Sequence, residues 1–141
     1  MSKKIDFETI NLNDAIPQLS KVVSQEKINK WAGVVEDFNP LHVDPEYAKK
    51  TKFKRTIAHG PLIISFISEM MGSWLGADWL EGGKLLDIRF KAPVKSEDQI
   101  TIEGTVKNKT IVEDKKLLEC EVFITNQEGI KVLEGKAIAP I

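Results

Sequence analysis

From Pro61 to Leu75 the chain holds one charge, Glu69, among Leu, Ile, Phe, Met and Trp, with Ser65, Ser68, Gly72 and Ser73 interspersed. Apolar residues fall on most sides of the helical wheel, which is the pattern of a helix buried nearly all round. Pro61 suits the first helical position and Gly76 the stop. At ~1.5 Å rise per residue the segment spans roughly 22 Å, short of the ~30 Å hydrocarbon core of a bilayer. It reads as a core helix, not a membrane span. Upstream the pattern is weaker. Residues 5–23 alternate loosely, with Asp14 and Pro17 as breakers and a short strand near Leu19 to Val23. Ser24 is placed to cap a helix over 25–36, where Ile28, Trp31 and Val35 recur at spacings of three and four.

After Lys84 the period changes to two. Leu85 to Phe90, Gln99 to Lys107, Lys115 to Thr125 and Ile130 to Ala139 are rich in Val, Ile and Thr. Alternation is clean through Ile100, Ile102, Gly104 and Val106, and again around Val122 and Ile124, as in an antiparallel sheet with one covered face. No Asn-Gly or Asp-Gly pair marks a two-residue hairpin. Asn108-Lys109 and Asn126-Gln127-Glu128-Gly129 are the expected loops between the last three strands. Helices followed by strands predict an α+β layout in which the apolar helix covers the sheet. No internal repeat or low-complexity linker interrupts it, so residues 1–141 read as one domain.

Composition narrows the function classes. The net charge is −1, with 42% hydrophobic and 29% charged residues. Such a balance gives no reason to expect nucleic acid or a membrane surface as partner. Met1 to Asp6 carries positive residues with no apolar run behind them, unlike a signal peptide. A single cysteine, Cys120, excludes an internal disulfide framework and sits in a strand as a small buried hydrophobe. Asn108-Lys109-Thr110 fits the glycosylation pattern but has no weight without a secretion signal. The expectation is a soluble, cytoplasmic protein. The basic run from Lys49 to Arg55 is read as a solvated face, and Trp31, Trp74 and Trp79 as packing residues.

Chemistry can sit in few places. Only two histidines occur, His42 and His59, each beside a helix start. Glu36-Asp37-Phe38-Asn39-Pro40-Leu41-His42-Val43-Asp44-Pro45 cannot be one helix, because its prolines force Asn39 and Asp44 towards extended geometry. Asp44 then suits the cap of a short helix opened by Pro45. Asp37 and His42, five apart across this turn, either hold one water between carboxylate and imidazole or merely fix the turn. His59 alone reads as a loop-packing residue. Gly60 either offers a free backbone N–H at the positive end of the helix dipole, suited to a carbonyl oxygen gaining charge, or is only the bend into the helix. Ser68, a little over two turns on, needs a partner, ordinarily a backbone carbonyl one turn back. No zinc motif, nucleophile elbow or Gly-rich nucleotide loop occurs, and two histidines with one cysteine make a poor metal set.

Taken together, Asp37-Phe38-Asn39-Pro40-Leu41-His42-Val43-Asp44-Pro45-Glu46-Tyr47-Ala48 resembles the signature of the MaoC-like, (R)-specific enoyl-CoA hydratase family. Ile57-Ala58-His59-Gly60 resembles that family's second landmark at the expected distance. The resemblance in order and length runs from about Val22 to the C-terminus. It implies a hot-dog fold, a long helix wrapped by an antiparallel sheet, and reversible hydration of trans-2-enoyl-CoA without cofactor or metal. It implies that Asp37 and His42 form the catalytic dyad, Gly60 donates to the thioester carbonyl, Ser68 lines the site, and Asn39 shapes the turn or orients the dyad. It also implies an acyl-CoA thioester as partner and a homodimer with each site near the interface. Val35 and Glu36 depart from the usual Ser-Gly pair, and Pro61 stands where Met commonly follows the His-Gly pair. Two rival readings stay open, a hot-dog thioesterase and a non-catalytic acyl-CoA-binding subunit.

Overall fold

The computed structural model describes residues 4–141. The reading that no leader is present rests partly on residues 1–3, which lie outside the described residues. Five strands, β1 (Leu19–Val23), β2 (Lys84–Phe90), β3 (Asp98–Val112), β4 (Lys115–Thr125) and β5 (Lys131–Pro140), form one antiparallel sheet in the order β1-β3-β4-β5-β2. Among the described residues five helices accompany it: α1 (Gln25–Val35), α2 (Pro40–Val43), α3 (Pro45–Lys49), α4 (Gly60–Leu75) and α5 (Ala77–Gly82). A 3₁₀ turn, Phe7–Thr9, capped by Asp6, precedes them. This is the α+β hot-dog arrangement expected from the sequence. No helix among them is long and apolar enough to cross a membrane.

The sheet and α4 share one core. Leu62, Ile63, Phe66, Ile67, Met70, Met71 and Leu75 are buried along α4. They belong to the same cluster as Ile100, Ile102 and Val106 of β3, Val122 and Ile124 of β4, and Leu133 and Ala137 of β5. Burying each large apolar side chain contributes ~1.5–3 kcal/mol, so a charge at Ile67, which is 0% exposed, would break the fold. Glu69, the one charge on α4, points outward and meets Lys21 of β1 at 2.7 Å. Gly76 ends the helix with φ at +61° and ψ at −133°, a backbone region open to glycine. Cys120 is fully buried on β4, as expected. Burial first, and the Glu119 charge second, push its thiol up to about 12.

Local signals place several boundaries where the sequence predicts them. β1 spans the expected residues, the Ser24 hydroxyl accepts the Lys27 N–H, and Asp44 caps α3 through the Glu46 and Tyr47 N–H groups. The loop after β4 is also found. Asn126 Oδ1 accepts from Glu128 and Ile130 N–H groups, and Gly129 takes φ +74°.

Other expectations give way. Asn108-Lys109 is no hairpin loop, since both residues pair with β4 beside a bulge at Lys107. The strands run on to a two-residue turn at Glu113-Asp114, with φ of +51° and +65°, the primed geometry that matches strand twist. Pro61 is the second helical residue rather than the first, because Gly60 already opens α4 behind a His59 cap. Arg55 leaves the basic run to pair at 2.7 Å with Asp98, which is only 3% exposed. The short α5, which buries Trp79, has no counterpart in the sequence reading.

Candidate active site

Two segments meet at the N-terminal end of α4. The first leaves α1 through Glu36, whose φ of +58° turns the chain in the left-handed region. Glu36 and Val35 are exposed there, so these residues do not pack behind Asp37. The consequence of Glu36 is backbone strain at a position that favours glycine. Asn39, extended at φ −52° and ψ 129°, caps α2 by accepting the Leu41 N–H, and Pro40 opens that helix. The one-turn helix sets His42 facing back towards Asp37. The second segment runs from Thr56 to Gly60. Ile57 N–H bonds to Leu41 O at 3.1 Å and Ala58 N–H to Val94 O at 2.8 Å, which anchors it against the first segment and the loop before β3.

Asp37 Oδ2 lies 3.9 Å from His42 Nε2 and 4.0 Å from His59 Nε2. The other carboxylate oxygen, Oδ1, accepts the Asn39 N–H at 3.2 Å. His42 Nδ1 is 2.7 Å from Ile57 O. A carbonyl can only accept, so Nδ1 carries the hydrogen and Nε2 presents a lone pair towards Asp37. The same argument puts a hydrogen on His59 Nε2, which lies 3.0 Å from Asp37 O. The two imidazoles stack, with centroids 3.9 Å apart and planes at 25°. A 3.9 Å gap is too long for a direct hydrogen bond and wide enough for one water oxygen bonded to both groups.

Asp37, His42 and His59 also form a trio whose ligand atoms lie within 4.8 Å of one another. Stacked rings send their in-plane lone pairs nearly parallel, and His59 Nε2 is turned to a carbonyl. A metal needs converging donors, so this trio suits a water better than an ion.

Beside His42 opens a cleft of roughly 410 Å³, walled by Gly60, Ile63, Phe90, Pro93 and Val94 among others. Gly60 is the first residue of α4, and among the described residues neither its N–H nor that of Leu62 has a protein acceptor. Pro61 removes the N–H between them. The helix start therefore offers two donors at its positive end. A methyl group on Gly60 would stand 3.1 Å from the Phe90 ring, so a larger residue crowds the cleft. A larger concavity of about 630 Å³ near α5 holds no histidine.

The structure thus brings Asp37, Asn39, His42 and Gly60 together. Ser68 stands apart, about 12 Å further along α4. Its Oγ accepts the Trp79 indole N–H at 2.8 Å, where the sequence suggested a backbone carbonyl as partner, and it is not part of the cleft wall. His59 is the residue that sequence reasoning set aside. The residue is 2% exposed, and its Nδ1 has no hydrogen-bond partner among the described residues. No spacing signal could have revealed its stack on His42, which depends on how the two segments cross.

Comparison with known proteins places the chain among relatives over most of its length. The MaoC-like domain model matches residues 9–127. The (R)-specific enoyl-CoA hydratase of Aeromonas caviae is 35% identical over 125 residues, 88% of this chain and 90% of that protein. The (R)-specific enoyl-CoA hydratase of Rhodospirillum rubrum is 38% identical over 122 residues, 84% of this chain and 80% of that protein. Among solved structures, the unliganded R-hydratase PhaJ1 of Pseudomonas aeruginosa superposes with a TM-score of 0.83 at 28% identity, covering 96% of this chain and 84% of that one. Sequence and fold agree, and the chain belongs to the MaoC-like domain family.

Proposed function

We propose that the protein is an (R)-specific enoyl-CoA hydratase, adding water reversibly across trans-2-enoyl-CoA to give (3R)-3-hydroxyacyl-CoA. The observation that carries the mechanism is the 3.9 Å gap between Asp37 Oδ2 and a His42 Nε2 whose lone pair is exposed by the Nδ1–H bond to Ile57 O. A water seated there is polarised from two sides. Its oxygen attacks C3 of the enoyl thioester, its proton passes to the dyad, and C2 takes a proton in return. As C3 is attacked, charge builds on the thioester oxygen, which the Gly60 N–H at the helix start receives. One such donor is worth ~10²–10³ in rate, and acid–base assistance by the dyad roughly 10²–10⁴.

Asn39 serves by fixing the turn and holding Asp37 Oδ1, which leaves Oδ2 to the water. Ser68 would meet only a ligand that runs deeper along α4. The reaction draws on the electrophilicity of the α,β-unsaturated thioester and calls for no cofactor. Residues 1–141 would act as one catalytic unit in the cytoplasm, within a homodimer. Leu86 and Phe90 support that pairing, because both are exposed on β2, an edge strand of the sheet. Light scattering at micromolar concentration should give twice the chain mass.

The deciding assay follows the ultraviolet absorbance of the enoyl thioester with crotonyl-CoA. Wild type should consume it quickly, while Asp37→Asn and His42→Ala, folded by circular dichroism, should be nearly inactive. A wild type that binds short and medium enoyl-CoA esters without consuming them would overturn the reading.

A further inference from the structure

His42 owes its exposed lone pair to the reach of Nδ1–H to Ile57 O, so the spacing between two backbone segments controls the state of the ring. Gln25, in the first turn of α1, ties those segments together. Its amide nitrogen donates to His42 O at 2.9 Å and to Asn29 Oδ1 at 2.9 Å. Its amide oxygen accepts the hydroxyl of Thr56, the residue before Ile57. Its backbone N–H donates to Glu97 Oε1 at 2.9 Å. Thr56 is itself fixed, being 1% exposed with its carbonyl accepting Ser96 N–H at 2.9 Å. A flipped amide would set an oxygen against two acceptors, so the network permits one orientation only.

We propose that Gln25 is a positioning residue of the reaction. By joining the His42 carbonyl to the Thr56 hydroxyl, it sets the distance across which Nδ1–H meets Ile57 O. That contact keeps the hydrogen on Nδ1 and the lone pair on Nε2, where the proposed mechanism seats its water. Neither Gln25 nor Thr56 lines the cleft, so neither alters affinity by touching a ligand. The kinetic consequence rests on the hydratase reading, whereas the effect on the imidazole does not.

The test has two arms. In turnover of crotonyl-CoA, Gln25→Ala and Thr56→Val should lower kcat about 10–100-fold, by analogy with the loss when hydrogen-bond partners that orient metal-ligating imidazoles are removed, with KM within about threefold. Gln25→Glu should match Gln25→Ala, because a carboxylate cannot donate to His42 O. Thr56→Ser keeps the hydroxyl and should stay close to wild type. In the second arm, long-range ¹H–¹⁵N NMR of the ligand-free protein at alkaline pH, with imidazoles neutral, reads the His42 tautomer directly. Wild type should show one Nδ1–H form, and Gln25→Ala and Thr56→Val a mixture. A folded variant that keeps the single tautomer and a kcat within threefold of wild type overturns the proposal. Should Gln25→Ala fail to fold, Thr56→Val decides alone. If wild type consumes no enoyl-CoA, the hydratase reading falls, and the NMR arm still upholds or overturns the role of Gln25.

Discussion

His42 and His59 stand 3.9 and 4.0 Å from the same carboxylate oxygen, yet the segments that carry them leave different atoms available. His42 rides on a one-turn helix set by Asn39 and Pro40, with its side chain 16% exposed at the cleft. Its Nδ1 is occupied by Ile57 O and its Nε2 is open. His59 caps the long helix with its side chain 3% exposed. Its Nε2 is occupied by Asp37 O, and its remaining nitrogen is buried without a partner among the described residues. On the proposed mechanism, distance to an acid therefore does not distinguish a base from a support. The distinction lies in which nitrogen stays free and whether it faces space that a substrate can enter.

The largest effect that would break this comparison is on turnover. His42→Ala should cost ~10²–10⁴ in kcat, the worth of the acid–base step. His59→Phe keeps the stack on His42 and loses only the bond to Asp37 O, so kcat should fall about tenfold with ~1 kcal/mol of stability. If the two variants were equally inactive in the crotonyl-CoA assay, the division of roles would be wrong. His59→Ala adds a cavity beneath His42, and chemical denaturation should register a further loss of about 2–4 kcal/mol.

Smaller effects sharpen the picture away from the rings. Glu36→Gly relieves a left-handed residue at the exit from α1 and should raise stability by about 1 kcal/mol, read as a higher melting temperature, with turnover within twofold. Cys120, its thiol pushed up to about 12 by burial and the Glu119 charge, should resist alkylation in the native state and react promptly in urea. The sign is that of a neutral form favoured by folding. Its contribution to stability is full below the ordinary value of 9.0 and disappears as pH rises towards 12.

Much of the fold was legible because its signals are local. Ser24, Asp44 and Gly76 each mark an end through their own hydrogen bonds or backbone freedom, and the apolar run after Pro61 needs no partner to declare itself a core helix. The β3–β4 hairpin shows where local reading fails. Asn108 looks like a turn residue, but Thr110 opposite Leu117 and Val112 opposite Lys115 keep the strands paired past it. Eleven aligned residue pairs outweigh one residue's turn preference, and the chain reverses at Glu113-Asp114 instead. The α5 helix was illegible for the opposite reason. Six residues, one of them Gly82 and flanked by Gly76 and Gly83, carry no helical period, and burial of Trp79 against the Ser68 hydroxyl holds them in place.

The fold class, the ends of most elements and the Asp37–His42 turn are written locally, since prolines, caps and hydrophobic period act over a few residues. Which nitrogen of each histidine stays free is settled by packing between distant segments. That choice depends on carbonyls of Ile57 and Asp37, which come from segments 15 and 22 residues away in the chain from His42 and His59 respectively. Strand order, the stack of His59 on His42 and the Gln25 bridge arise in the same way. Each is a contact between residues distant in sequence, and its energy exists only once the sheet and α4 have closed on their common core.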